Sequence, residues 1–137
     1  QLARLPAPQP RALRWHDVRD TLMPLTRLQC AWPAQDGEIW ADREQLEAVF
    51  LNVFRNAEQA GAKNLFVQIL AEAGQWRVRL RDDGCGIANP DNLFVPLYTT
   101  KPDGQGIGLS LCRQIARLHG GDFMLANAPD GGAEARN

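Results

Sequence analysis

Two rhythms of hydrophobic positions run along this chain. Leu46, Val49, Phe50, Val53, Phe54 and Ala57 recur at the three-and-four spacing of a single helix face. Asp42 stands ahead of that run as an N-cap, and Gln45 three residues on predicts a complete capping box. Gly61 supplies the stop, so the helix is expected to reach about Ala60. A second helix is predicted from Leu109 to His119, closed by Gly120 and Gly121. Val18, Leu22 and Leu25 predict a first helix inside 15–28, ended near Pro24.

The other rhythm has a period of two. In Trp76-Arg77-Val78-Arg79-Leu80-Arg81 apolar and basic residues trade places, the mark of a strand with one face in a core and one in water. With Asn64 to Leu70 it predicts a hairpin that leads into Asp82. Shorter strands are expected at Leu28 to Trp32, at Glu38 to Ala41 and at Phe123 to Ala126, with another beginning near Ala133. The prolines at 6, 8 and 10 make the first residues an extended linker, and a Pro/Gly-rich loop is expected from Ala88 to about Gly106. The resulting division is a linker at 1–12 and one domain at 13–137.

Composition narrows the function classes. With 137 residues and a net charge of -1, the chain reads as one ordinary domain without a nucleic-acid or membrane-surface footprint. No run approaches the ~20 apolar residues of a membrane helix. Cys30, Cys85 and Cys112 lack CxxC or Cys/His ligand spacing, which argues against a zinc site and for a reduced, cytoplasmic setting. The chain opens on Gln1 and reads as a fragment of a longer protein.

Three features carry candidate chemistry. Asn52 and Asn56 lie four apart on one helix face. Either amide oxygen suits a hydrated Mg²⁺, while the structural alternative is an asparagine bonding its own helix. Asp82-x-Gly84-x-Gly86 sets a carboxylate at a strand end beside bare backbone, suited to the amino group of a flat ring. Gly104-Gln105-Gly106-Ile107-Gly108-Leu109 feeds glycine-rich backbone into a helix N-terminus, a place for phosphates.

Taken in order, Asn52-x-x-x-Asn56-Ala57, Asp82-x-Gly-x-Gly-Ile87, Phe94-x-Pro-x-Tyr98-Thr99-Thr100-Lys101 and Gly104-x-Gly-x-Gly-Leu109 resemble the N, G1, F and G2 boxes of the histidine-kinase catalytic and ATP-binding domain. That domain belongs to the gyrase/Hsp90/histidine-kinase/MutL superfamily, and the wording Thr99-Thr100-Lys101-Pro102 is most similar to nitrogen-regulation-type kinases. The resemblance implies an α/β (α+β) sandwich of the Bergerat type, a mixed sheet covered on one face by about three helices, with a short ATP lid. It implies ATP and Mg²⁺ as cofactors. Asp82 would accept the adenine amino group, with Gly84, Gly86 and Ile87 beside the purine. Asn56 would ligate Mg²⁺ through the phosphates, and Asn52 would lie near the phosphates or the metal's waters. Tyr98, Thr99, Thr100 and Lys101 would belong to the site, Lys101 as a point charge. Gly104, Gln105, Gly106, Ile107, Gly108 and Leu109 would wrap the phosphate tail. Gln59 and Ala60 occupy places where relatives often carry a basic residue and an aromatic that covers adenine.

The superfamily's ATPases carry glutamate at the first N-box position as general base for water. Here it is Asn52, whose amide takes up no proton, so the resemblance implies phosphotransfer to a histidine. Glu47, one turn earlier, is read as solvent-facing. His16 and His119 read as structural, which places the phosphoacceptor histidine on an upstream dimerisation domain of a homodimeric parent. The parent is open to an inner-membrane anchor, and a response regulator is an indirect partner. The fragment itself is expected to be monomeric, without nucleic acid or membrane contact. A nucleotide-responsive module that binds ADP or ATP without transfer is the alternative, and a structural domain with a degraded pocket is a third reading.

Overall fold

The computed structural model describes residues 5–72, 75–84, 105–127 and 133–136, the backbone alone in 105–109 and from 124 onward. Strand β1 (Arg11–Arg14) leads directly into helix α1 (Trp15–Leu22), which tightens into a 3-10 turn over Met23–Leu25. Strands β2 (Gln29–Ala31) and β3 (Glu38–Ala41) precede helix α2 (Arg43–Gln59). The hairpin of β4 (Asn64–Glu72) and β5 (Gln75–Asp82) follows. Helix α3 (Gln105–Leu118) and strands β6 (Met124–Asn127) and β7 (Ala133–Arg136) close the described chain.

Five strands form one mixed sheet in the order β2-β4-β5-β7-β6, with β2 parallel to β4 and the other neighbours antiparallel. The alternation read in the sequence sorts its faces. Leu65, Val67 and Leu80 are buried against the helices, while Phe66 and Leu70 are exposed on the opposite side. The sheet is thus covered on one face, as expected.

β1 was not foreseen, and it changes the architecture. It pairs antiparallel with β3 as a separate two-stranded ribbon, so β3 is not part of the large sheet. The ribbon is pinned by Asp36 in the β2–β3 turn. Arg14 gives α1 no side-chain cap. Asp36 replaces it, its Oδ1 accepting from the His16 N–H at 3.0 Å and the Gly37 N–H at 2.7 Å, while Arg14 Nε donates to Oδ2 at 3.1 Å. These donors, first among them the His16 amide, hold the carboxyl down at about 2. His16 is the second residue of α1.

The core centres on Phe50 of α2. Trp32 stacks on it with ring centroids 5.5 Å apart, Trp15 meets it edge-on at 6.3 Å, and Phe54 lies 6.1 Å away. Trp76 of β5 meets Trp15 edge-on and donates its indole N–H to Glu38 O at 3.0 Å, which joins ribbon to sheet. Such aromatic pairs add about 0.5–1.5 kcal/mol each beyond the area they bury.

Both long helices end in the same way. Gly61 and Gly120 take φ of +81° and +83°. In each case the next residue's N–H reaches back five residues, Ala62 to Ala57 O and Gly121 to Ala116 O, so each stop is a Schellman motif. The start of α2 departs from expectation. Asp42 Oδ1 accepts from the Gln45 N–H at 3.0 Å, but Gln45 does not return the bond. The Asp42 N–H goes to His119 Nε2 at 3.1 Å, so only half of the capping box forms. α3 also begins at Gln105, four residues before the predicted start, so Gly106 and Gly108 belong to its first turn rather than to a loop.

Candidate functional site

Asp82 is the last residue of β5 and only 4% exposed, because it faces the helix side of the sheet in step with Leu80 and Val78. Its Oδ1 accepts from the Gly84 N–H at 2.7 Å, an Asx-type turn. A Cβ on Gly84 would stand 2.9 Å from Ala60 O and 3.0 Å from Ala60 Cβ. The glycine is therefore required by close approach, and the end of α2 rests directly on the Asp82 turn. Ala60, a site candidate from the sequence, is at that contact, and Gln59 beside it is exposed.

Asp83 is a residue that sequence reasoning passed over. Its Oδ1 accepts from the Lys63 and Asn64 N–H groups at 2.9 and 3.0 Å, and its Oδ2 accepts from Asn64 Nδ2 at 2.8 Å. The Asp83 N–H in turn donates to Asn64 O at 3.3 Å. Asn64, as the leading donor, brings the carboxyl down to about 2. The signal was present as a second carboxylate directly before Gly84, a residue type that bonds nearby backbone in turns.

Asn52 and Asn56 share one half-buried face of α2. Asn52 Nδ2 donates to Ala48 O at 2.7 Å, so the amide's donor half is spent on its own helix. Its Oδ1, and the whole Asn56 carboxamide, make no hydrogen bond among the described residues. Glu47 is not solvent-facing. Its side chain is 20% exposed and lies against Arg43 with Nε–Oε2 at 3.2 Å, an i,i+4 pair that covers it.

Two contacts fix how α2 and α3 lie together. Asp42 meets His119, and seven residues further along α2 the carbonyl of Val49 meets Cys112 Sγ at 3.9 Å, seven residues earlier on α3. The helices are therefore antiparallel in steady register. Asn52 and Asn56 stand on the C-terminal half of α2, the half toward which the N-terminus of α3 runs. Helix ends of this kind attract anions. Among the sequence candidates, Asn52, Asn56, Gln59, Ala60, Asp82 and Gly84 are described with side chains, and Gln105, Gly106, Ile107, Gly108 and Leu109 by backbone. Gly86, Ile87, Tyr98, Thr99, Thr100, Lys101 and Gly104 lie outside the described residues, as does the lid. Among the described residues no three His, Cys, Asp or Glu side chains cluster to hold a metal, and no helix is long and apolar enough to cross a membrane.

Residues 41–136 match the family model for histidine kinase-, DNA gyrase B- and HSP90-like ATPases. The signal transduction histidine-protein kinase AtoS of Escherichia coli is 38% identical over 98 residues, which span 68% of this chain and 16% of that protein. The sensor protein FixL of Bradyrhizobium diazoefficiens is 35% identical over 105 residues, 72% of this chain and 21% of that protein. The chain thus spans about a fifth or less of these relatives. Among solved structures, the nucleotide-free catalytic domain of the histidine kinase ThkA superposes with a TM-score of 0.77 at 22% identity, covering 93% of each chain. The ATP-binding domain of PrrB from Mycobacterium tuberculosis gives 0.72 at 22% identity, covering 93% of this chain and 94% of that one. A buried strand-end aspartate against a glycine turn, two asparagines on one face of α2, and these likenesses agree: the chain belongs to the histidine kinase-, DNA gyrase B- and HSP90-like ATPase family, and the relatives it matches there are sensor histidine kinases.

Proposed function

We propose that residues 13–137 are the ATP-binding catalytic domain of a two-component sensor histidine kinase, and that residues 1–12 belong to the linker from an upstream dimerisation domain. The observation that carries this is Asp82, a buried carboxylate at the end of β5 that accepts from the Gly84 N–H, with the end of α2 packed against its turn. An ionised carboxylate only accepts hydrogen bonds, which fits an exocyclic amino group and not a ring carbonyl.

Asp82 and Gly84 would hold adenine, and the N-terminal turn of α3 would take the phosphates, since backbone N–H groups and the helix dipole there favour negative charge. Asn56 would offer Mg²⁺ a neutral oxygen ligand, with Asn52 near the phosphates or the ion's waters. That set is too small for a protein-only metal cage but suits Mg²⁺, which keeps waters and shares phosphate oxygens. An ion held there would supply neutralisation of phosphate charge. Asn52 takes up no proton, so the domain does not activate water and the γ-phosphate is kept for a histidine supplied by the upstream domain. The parent acts on a response regulator as a homodimer, with this domain in the cytoplasm.

The test mixes the fragment and radiolabelled ATP with a separately produced dimerisation domain from the parent. Label on that domain's histidine, lost when the histidine is replaced by glutamine, supports the kinase reading. Tight ATP binding without any label would instead identify a nucleotide-responsive regulatory module.

A further inference from the structure

The half-made capping box at the start of α2 is a second device in the fold. Gln45 is 6% exposed, and its Nε2 donates to Pro6 O at 2.9 Å, in the proline-rich segment ahead of β1. Its Oε1 is buried without a hydrogen-bond partner among the described residues. Asp42 holds the same segment from the other side, Oδ2 accepting from the Gln9 N–H at 2.8 Å. The Asp42 N–H, which a capping-box glutamine ordinarily takes, is given to His119 Nε2. His119 Nδ1 contacts Ile115 O at 2.9 Å. Nε2 therefore accepts and Nδ1 donates, the neutral tautomer.

We infer that the segment at residues 6–9 is a releasable latch on the N-terminus of α2, held by Gln45 and Asp42 and exchanging with the completed capping box. In the docked arrangement Gln45 gives its amide N–H to Pro6, and His119 ties the end of α3 to Asp42. In the released arrangement Gln45 Oε1 turns to the Asp42 N–H, which satisfies the orphaned oxygen. His119 then gives up that donor to water. One N–H serves one good acceptor, so leaving the latch and completing the box go together. The unpaired Oε1 disfavours the docked form and keeps the two close in free energy.

The consequence for the site rests on the nucleotide reading above; the latch itself does not. The His119–Asp42 hydrogen bond is among the contacts that hold α2 against α3, and Asn52 and Asn56 stand on the half of α2 toward which the N-terminus of α3 runs. A pull on the segment from upstream would therefore loosen the nucleotide end, and nucleotide would favour the docked latch by the same factor.

Gln45→Glu is the discriminating variant. A carboxylate cannot donate to Pro6 O, yet it completes the capping box and favours the helix N-terminus. Amide hydrogen exchange of residues 5–11 is measured on the whole chain, without nucleotide and with ADP or a non-hydrolysable ATP analogue. The latch predicts exchange at Gln9 about fivefold faster or more in Gln45→Glu, with no fall in melting temperature. Unchanged exchange at Gln9, or faster exchange accompanied by a lower melting temperature, overturns it. Slowing of Gln9 by nucleotide in the wild type but not in Gln45→Glu establishes the coupling. If nucleotide slows neither protein, coupling is refuted. A chain that binds no nucleotide removes the kinase reading and leaves the first comparison intact.

Discussion

A Cβ placed on Gly84 would come within 2.9 Å of the carbonyl oxygen of Ala60, so the turn that carries Asp82 and the residue that follows α2 meet without room for a methyl group. The sheet and the helix that supply the two halves of the site thus meet closely at this point as well as in the core. Gly84→Ala must push that contact apart. Overpacking of this kind costs about 1–3 kcal/mol, and the melting temperature should fall accordingly. Nucleotide affinity should fall further than stability alone requires, because Asp82 shifts with the turn. Calorimetry and thermal denaturation on the same variant check both.

Asp83→Ala tests the clamp that holds the turn to β4. It removes the acceptors of the Lys63 and Asn64 amides and of Asn64 Nδ2, so the Asp82 turn should loosen and nucleotide bind more weakly. The pH dependence carries the sharper signature. The Asp83 carboxyl is held at about 2, below its ordinary 3.8, chiefly by Asn64. A depressed carboxyl contributes stability that is present above the ordinary value and lost as pH falls through the folded one. The wild type should lose stability between about pH 4 and pH 2, and Asp83→Ala should lose less of it over that window.

The cysteines give the opposite sign. Burial pushes the Cys112 thiol up to about 12, and burial, with Glu58 second, pushes Cys30 up to about 11. A raised thiol contributes stability that is intact below its ordinary value of 9.0 and lost as pH climbs toward 11–12. Alkaline titration should therefore destabilise the fold from about pH 9 upward. At neutral pH, Cys112 should resist iodoacetamide until the chain unfolds, which mass spectrometry of pulse-alkylated protein would show.

Phe50→Ala removes the ring on which Trp15, Trp32 and Phe54 all pack. A fully buried phenylalanine replaced by alanine costs about 3–5 kcal/mol, a large share of the ~5–15 kcal/mol that holds a domain together. Urea unfolding followed by tryptophan fluorescence should show the midpoint falling with little change in slope.

What the sequence revealed and what it hid have separate causes. α2 was legible because six apolar positions repeat without interruption and Asp42 and Gly61 mark its ends. β4 and β5 were legible because one face is in water. β1 was hidden because four residues with a single inward side chain, Leu13, carry no usable periodicity, and the strand exists through its distant partner β3. The missing half of the capping box could not be foreseen, since both competitors, Pro6 and His119, are brought in by tertiary contacts. The early start of α3 was obscured by Gly106 and Gly108, which read as loop but lie in the helix's first turn. At the site, the residue types of Asp82 and the asparagine pair stood out. The backbone contact that makes Gly84 necessary depends on Ala60, and no local pattern carries it.

The most direct measurement is a calorimetric titration of the wild type and Asp82→Asn with ADP, with and without Mg²⁺. Binding in about the micromolar range for the wild type, weakened by about 2 kcal/mol or more in Asp82→Asn through loss of a charged acceptor, is the predicted result. Equal affinity in the two proteins, or no binding by a folded wild type, would contradict the assignment of Asp82 as the adenine-binding carboxylate.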